Sequence, residues 1–369
     1  MGDNMKIEQM TNYDQYMLLS AEDKEQLFGS YNYGEFLKYF GGKAKFRPVI
    51  LRTILNVASN AYEQTKTQNG TETKPIFIEA FAGGGKLALC VPQGLFSKII
   101  INDIDPALTT LYKIIQSDSW KLLISAIHDL CKVADNDLML GLNNSIIDFY
   151  DEAFKKHQVG QSNITNYDIL IAAVRFVTIY GSMYGSTKEG TSFTLASYDD
   201  VYRSACRVIP DIHKRLSSMN MVIENLDYKE LIKKYNGKSY LDRYKNEHRA
   251  EEITRAELVY YFDPPYYEGA LSKAGEGYVE TFTTKQTNEL TDILANSYRP
   301  WAGLNIDMKY WVKSDYQPYP WDPNGNIFAS IENNPMYKKF DIGTSGEAYS
   351  NNKGASKSKH EYIWVKGLV

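Results

Sequence analysis

Pro75-Ile-Phe-Ile-Glu79 is a short apolar run that ends at a turn of three consecutive glycines, Gly83-Gly84-Gly85, and residues 86–90 behind it are expected to open a helix. A second run, Lys98-Ile-Ile-Ile101, closes on Asn102-Asp-Ile-Asp105, and Pro106, suited to a first helical turn, introduces a helix over 107–116. Strands without polar alternation are covered on both faces, and strands joined through helices run parallel. The two modules commit the chain to an α/β fold with a parallel sheet, whose ligands belong at the carboxyl ends of the strands.

Val222-Ile-Glu-Asn225, Leu258-Val-Tyr-Tyr-Phe262 and Tyr362-Ile-Trp-Val365 are read as further strands. Residues 48–62 have a helical apolar period before a polar loop at 65–74, and residues 164–180 form a buried-type helix. Ser20-Ala-Glu-Asp23 is a capping box that starts a short helix through Phe28. Polar residues 235–257 are expected to be an exposed insertion, and 343–359 a loop. From Phe81 to Asp263 is 182 residues, about twice what βαβ units of ~30 residues need to reach a fourth strand. A domain-sized insertion is therefore expected at 117–220, between 33–116 and 221–369, with 1–32 as an N-terminal extension.

Composition excludes several classes. With 43% hydrophobic and 23% charged residues the chain can bury a full core. No apolar run reaches the ~18 residues that span a bilayer, the first residues lack a signal layout, and three scattered cysteines fit free thiols in a reducing cytoplasm. The cysteines and five histidines show no metal-ligand spacing, and no metal is expected. A net charge of -4 argues mildly against nucleic acid but leaves room for a local basic face.

The glycine turn lets a ligand approach the backbone, and Asp103, twenty residues after Gly83, supplies the acid that ribose hydroxyls require; the alternative for Asp103 is a helix cap before Pro106. Together they suit a nucleoside-bearing cofactor. Asp263-Pro264-Pro265-Tyr266 leaves the strand at 258–262, and the tetrapeptide is roughly a one-in-several-hundred chance event in a chain of this length. The lone pair of an exocyclic amino nitrogen, such as that of adenine, is delocalised into the ring, and two hydrogen-bond acceptors can redirect it. The Asp263 carboxylate and the Pro264 carbonyl supply two acceptors, the prolines bring no competing N–H, and Tyr266 offers a stacking face for a base drawn out of the duplex.

These segments, with the stretch Tyr33-Gly-Glu-Phe-Leu-Lys-Tyr39-Phe-Gly41-Gly42-Lys43, resemble Dam-like DNA adenine methylases in motif order. The opening resembles their FLKWAGGK segment and residues 79–85 their ExFxGxG loop. Residues 102–105 with Leu111-Tyr112 resemble their xDINxxLxxLY stretch, residues 263–266 their catalytic loop, and Thr281-Phe-Thr-Thr-Lys-Gln286 the FTxEQ segment. The resemblance implies a Rossmann-like S-adenosylmethionine-dependent methyltransferase sheet with an inserted, mainly helical target-recognition domain. It implies that Tyr39, Gly41, Gly42, Lys43, Glu79, Phe81, Gly83, Gly85 and Asp103 hold S-adenosylmethionine. Asp227 and Tyr228 would lie on its adenine side, a helix cap being the alternative for Asp227, and double-stranded DNA would be the substrate. Lys86 and Asp105 depart from the family's usual residues at those positions.

Within the insertion, Tyr184, Lys188, Arg203 and Arg207 interleave aromatic and basic residues with glycines, as a groove-entering segment would. The stretch matches poorly the NG-rich, Arg-containing segment of family members that read GATC, which leaves the target sequence open. The Asp263 tetrapeptide alone also permits cytosine N4 or RNA as acceptor, and the fold alone permits a non-catalytic nucleic-acid-binding module.

Overall fold

A computed structural model describes residues 10, 12–29, 34, 36–39, 44–69, 72–148, 164–182, 187, 193, 198–218, 220–236, 257–265, 282–296, 300–301, 304–305, 310–316, 328–345 and 359–368. Its strands are β1 (Ile76–Glu79), β2 (Lys98–Asn102), β3 (Met221–Glu224), β4 (Leu258–Phe262), the short antiparallel pair β5 (Pro300–Trp301) and β6 (Leu304–Asn305), β7 (Tyr310–Tyr316), β8 (Tyr337–Ser345) and β9 (Lys359–Lys366). Seven of them form one sheet in the order β3-β2-β1-β4-β7-β9-β8. Pairing is parallel from β3 through β7, and β9 runs antiparallel to both of its neighbours.

Alternation along each strand divides the core in two. Phe77, Ile99, Ile101, Val259, Tyr261, Val312, Ile363 and Val365 face one apolar cluster, whereas Ile76, Ile78, Ile100, Tyr260, Phe262 and Trp364 face another. The first is covered by α3 (Arg47–Asn69), α4 (Pro106–Gln116), α5 (Trp120–Val133), α7 (Asn166–Gly181) and α8 (Tyr198–Ser218), with α6 (Asn136–Asp148) against α7. Two short N-terminal helices, α1 (Tyr13–Met17) and α2 (Ala21–Gly29), bury Tyr13, Tyr16 and Phe28 in that cluster and pack on α3. The second face is covered by α9 (Tyr228–Asn236), α10 (Thr284–Ala295) and α11 (Ala329–Glu332). The chain between β2 and β3, where the insertion is expected, is helical wherever it is described in regular structure. Leu123, Ile127, Phe176, Val208 and Ile212 from this stretch share the cluster with β1 and β2.

Four expectations need correction, one of them at the start of the expected exposed insertion, where residues 235–236 close α9 and Tyr235 is buried. Helix α3 runs on to Asn69 through the start of the expected loop, with the buried Thr65 hydroxyl satisfied by donating to the Ala61 and Tyr62 carbonyls at 3.0 and 2.8 Å. Residues 86–90 form consecutive turns in place of a helix, since the Ala88 N–H is diverted to the Glu79 carboxylate at 2.7 Å. Residues 343–345 belong to β8, where Ser345 pairs with Lys359; residues 346–358 and 237–256 lie outside the described residues. The Ser20 box is formed as expected, with the Asp23 N–H donating to Ser20 Oγ at 3.0 Å.

Helix α7 begins with a second such box, between Thr165 and Asp168, that the sequence reading passed over. Thr165→Ala removes the side-chain acceptor for the Asp168 N–H, and a loss of about 1 kcal/mol is expected in urea unfolding.

Candidate active site

Three parallel strands deliver acids to one edge of the sheet. Glu79 ends β1, Asp103 follows β2 and Asp263 follows β4, and the register sets Glu79 opposite both Ile101 and Tyr261. The chain between Glu79 and Gly85 then folds back onto β2: the Ala82 N–H donates to the Asn102 carbonyl at 2.8 Å and the Gly83 N–H to Asp103 Oδ2 at 2.8 Å. Asp103 Oδ1 accepts the Asp105 N–H at 2.9 Å. Each oxygen keeps a further lone pair for another donor.

Backbone conformation explains two of the glycines. Gly83 and Gly85 have φ of 49° and 65°, the left-handed region that side chains with a Cβ avoid. A Cβ on Gly85 would lie 2.7 Å from the Tyr112 hydroxyl, and one on Gly83 would lie 3.0 Å from the Tyr39 ring. Tyr112 in turn donates to the Gly83 carbonyl at 2.9 Å, and Lys86 Nζ donates to the Tyr39 carbonyl at 3.3 Å. The departure at position 86 thus fastens the turn to the segment that carries Tyr39.

On the other side of the turn, Phe81 sits among three aromatic rings, with centroids 5.7 Å from Tyr228, 6.5 Å from Phe262 and 5.6 Å from Phe282. Four motifs that lie far apart in the chain meet there. Asp227 accepts the Lys229 N–H at 2.9 Å and so caps α9. Asp103 does not cap α4: that position is filled by Asp105, whose Oδ1 accepts the Ala107 and Leu108 N–H groups at 2.9 and 3.1 Å.

The acids are crowded. Desolvation, and then the Asp263 and Asp103 charges, raise the Glu79 carboxyl to about 8 against the pull of the Ala88 N–H. Desolvation and the neighbouring Asp105 raise Asp103 to about 6. Such an edge favours a cation and hydroxyl donors over an anion. Among the described residues no group of His, Cys, Asp and Glu could hold a metal ion, and no helix is long and apolar enough to cross a membrane.

Residues 39–244, more than half of the chain, match the profile of the D12 class N6 adenine-specific DNA methyltransferase family. The chain belongs to that family. Like the other D12 enzymes it methylates the N6 amino group of adenine in DNA, and the readings as a cytosine or RNA enzyme or as a binding module give way. The seven-stranded, mostly parallel sheet is consistent with the methyltransferase fold. A type II methyltransferase of Methanocaldococcus jannaschii, M.MjaIII, is similar, at 23% identity over 237 residues that make up 63% of this chain and 68% of that protein.

Of the residues singled out in this D12 methyltransferase from the sequence, Tyr39, Glu79, Phe81, Gly83, Gly85 and Asp103 surround one turn, with Asp263 close enough to act on the Glu79 charge. Pro264 is buried and Pro265 half-buried directly after β4. Gly41, Gly42, Lys43, Tyr184, Lys188 and Tyr266 lie outside the described residues. Arg203 and Arg207 are exposed on α8, and Arg203 pairs with Asp200 one turn earlier. Tyr112, Asn102 and Arg175 escaped the sequence reading as structural partners of the site. Arg175 had a signal, since a guanidinium inside an almost wholly apolar helix has to find an acid.

Glu79 gives the enzyme a pH dependence of stability. Folding lifts its pKa from 4.5 to about 8, so the folded chain keeps a proton that the unfolded chain releases across that window. Stability therefore falls as pH rises from about 5 to 8, by at most about 1.4 kcal/mol per unit from this group. Denaturant midpoints measured across the window are expected to show the slope in the wild-type protein and a flatter line in Glu79→Gln.

Proposed function

We propose that S-adenosylmethionine is the methyl donor and that it lies across the turn at residues 81–85, with its ribose on Asp103 and its adenine toward Asp227 and Tyr228. The residues present fit it. Gly83 and Gly85 permit the left-handed turn that lays the Gly83 N–H on Asp103, Asp103 retains acceptor capacity for two hydroxyls, and the acids at 103 and 263 suit a sulfonium and an ammonium. Tyr39, Gly41, Gly42 and Lys43 are assigned to the same pocket. The bound donor supplies an activated methyl group on a positively charged sulfur.

Asp263 accepts one N–H of the target amino group and the Pro264 carbonyl the other, which draws the nitrogen lone pair out of the ring and faces it toward the methyl group. The rigid Pro264-Pro265 pair fixes both acceptors and contributes no N–H of its own. Tyr266 stacks on the adenine after it has left the duplex, so the substrate is double-stranded DNA with one base extruded. Residues 117–220 are assigned to target recognition, with Tyr184 and Lys188 reaching the DNA and Arg203 and Arg207 along its backbone; the catalytic halves are 33–116 and 221–369, after an extension at 1–32. One observation carries this reading. The glycine turn with its Asp103 partner and the start of the Asp263 loop, 160 residues beyond Asp103 in sequence, meet at a single edge of the sheet.

Sequencing DNA after incubation with labelled S-adenosylmethionine should find methyl groups on adenine in a defined context. Asp103→Ala is expected to weaken donor binding by about 1.5–3 kcal/mol, as loss of charge-assisted hydrogen bonds does. Asp263→Ala should instead leave donor binding intact and slow single-turnover transfer by ~10²–10³. Tyr266→Ala should cost ~1–3 kcal/mol in productive DNA engagement, and Tyr266→Phe should restore it. Normal transfer by Asp263→Ala would overturn the catalytic assignment, and unchanged calorimetric affinity in folded Asp103→Ala would overturn the donor site.

A further inference from the structure

Arg175 lies in the middle of α7 with its side chain fully enclosed, at 0% exposure. A buried guanidinium has five N–H donors to match. Nη2 lies 3.4 Å from Asp105 Oδ2 and 3.5 Å from Oδ1, while Nη1 donates to Asn143 Oδ1 at 3.3 Å and to the Thr187 carbonyl at 3.5 Å. Asn143 Nδ2 donates to the same carbonyl at 3.5 Å.

The two ends of this cluster belong to different parts of the enzyme. Asp105 is joined through its own N–H to Asp103, whose other oxygen holds Gly83. Thr187 stands between Tyr184 and Lys188, in a segment whose ends are bridged to each other at Ser182 and Phe193. Stability alone is a weak reason for such a cluster, because well-packed apolar residues commonly replace a buried ion pair at no loss. The α4 cap does not need it either, since Asp105 caps that helix through the Ala107 and Leu108 N–H groups, which an asparagine oxygen could also accept. What the planar fork adds is a fixed distance between the turn at 103–105 and the carbonyl of residue 187.

We propose that Arg175 is a positioning residue for target selection: it fastens the middle of segment 183–192 to the turn at 103–105, so that donor binding at Asp103 and reading of DNA by the segment are coupled. The inference rests on the reading of Asp103 as the ribose acid and of the segment as DNA-entering.

Arg175→Lys keeps a cation for Asp105 but cannot span Asp105 and the Thr187 carbonyl as a guanidinium does. Donor affinity would be measured by calorimetry with and without a duplex cut around an adenine that the wild-type enzyme methylates, and site selection by sequencing the product. The wild-type duplex is expected to tighten donor binding at least about fivefold. In Arg175→Lys the affinity without DNA should hold, the ratio should fall toward one, and methylation should spread to sites that differ at one base. The double variant Asp105→Asn/Arg175→Met removes both charges together and should lose the coupling in the same way, which decides the matter if Arg175→Lys does not fold. In the wild-type protein the donor alone should slow hydrogen exchange in 183–192. A wild-type ratio of one, no change in exchange, or normal coupling and site selection in either folded variant overturns the proposal. If Tyr184→Ala and Lys188→Ala change site selection while Arg175→Lys does not, the segment's role stands and the proposal alone fails. If those two variants leave selection untouched, the reading of the segment fails and the proposal with it.

Discussion

One buried amide sets the shape of the catalytic edge. Asn102, 1% exposed, donates to the Ala80 carbonyl at 2.9 Å and the Leu226 carbonyl at 3.0 Å, and its oxygen accepts the Leu226 N–H at 3.0 Å. A single side chain at the end of β2 thus ties together the chain leaving β1 and the chain leaving β3. Asn225 reinforces it from the far side by donating to the Asp103 and Ile104 carbonyls, both at 2.9 Å. Buried amides are costly unless matched, so the loops have one arrangement in which every group is satisfied. Asp103, the next residue, inherits its position from that arrangement, and the Gly83 N–H finds it there.

The edge is held at an electrostatic cost. Three carboxyl groups converge at the strand ends, and the price is visible in the raised pKa values of Glu79 and Asp103. Protonation relieves Glu79 at neutral pH, while Asp103, at about 6, remains mostly ionised. A positively charged ligand lowers the cost for all three at once, so the site is disposed toward one before any specific contact is made. The glycines follow the same logic: a turn with φ of 49° and 65° at residues 83 and 85 is affordable only without a Cβ, and it brings backbone N–H groups to the acid.

How much of this was legible in the sequence follows from the distance over which each feature is determined. β1, β2 and β4 were readable because strands buried on both faces have to be continuously apolar, and β4 ends where the reading ended it, at Phe262. Spacing set Asp103 beside the glycine turn, but the bond from the Gly83 N–H to its carboxylate came only with the structure. Its alternative as a helix cap fell to Asp105, two residues on, which a one-dimensional reading could not rank because either acid precedes Pro106 closely enough to cap. Residues 86–90 misled because their local preference is helical, while a carboxylate from the preceding strand takes the Ala88 N–H. The ring cluster around Phe81 and the link from Arg175 to Asp105 join residues far apart in the chain, so neither was visible in any window.

The helices between β2 and β3 bear on how firmly the ends of segment 183–192 are held. Val174, Phe176 and Val177 of α7 are buried in the same cluster as Phe77 and Ile101, so the helix that leads to residue 182 is as fixed as the sheet. Phe193, where the chain rejoins that support, is itself 9% exposed and belongs to the cluster. Segment 183–192 therefore runs between two anchored ends. Thr187 differs in kind, because its carbonyl is held from α6 and α7 together and a displacement there is transmitted to Asp105. A segment anchored at its ends and at one interior point can alter what it contacts on either side of that point without moving the point itself. A change on one side of Thr187 is thereby kept from the other.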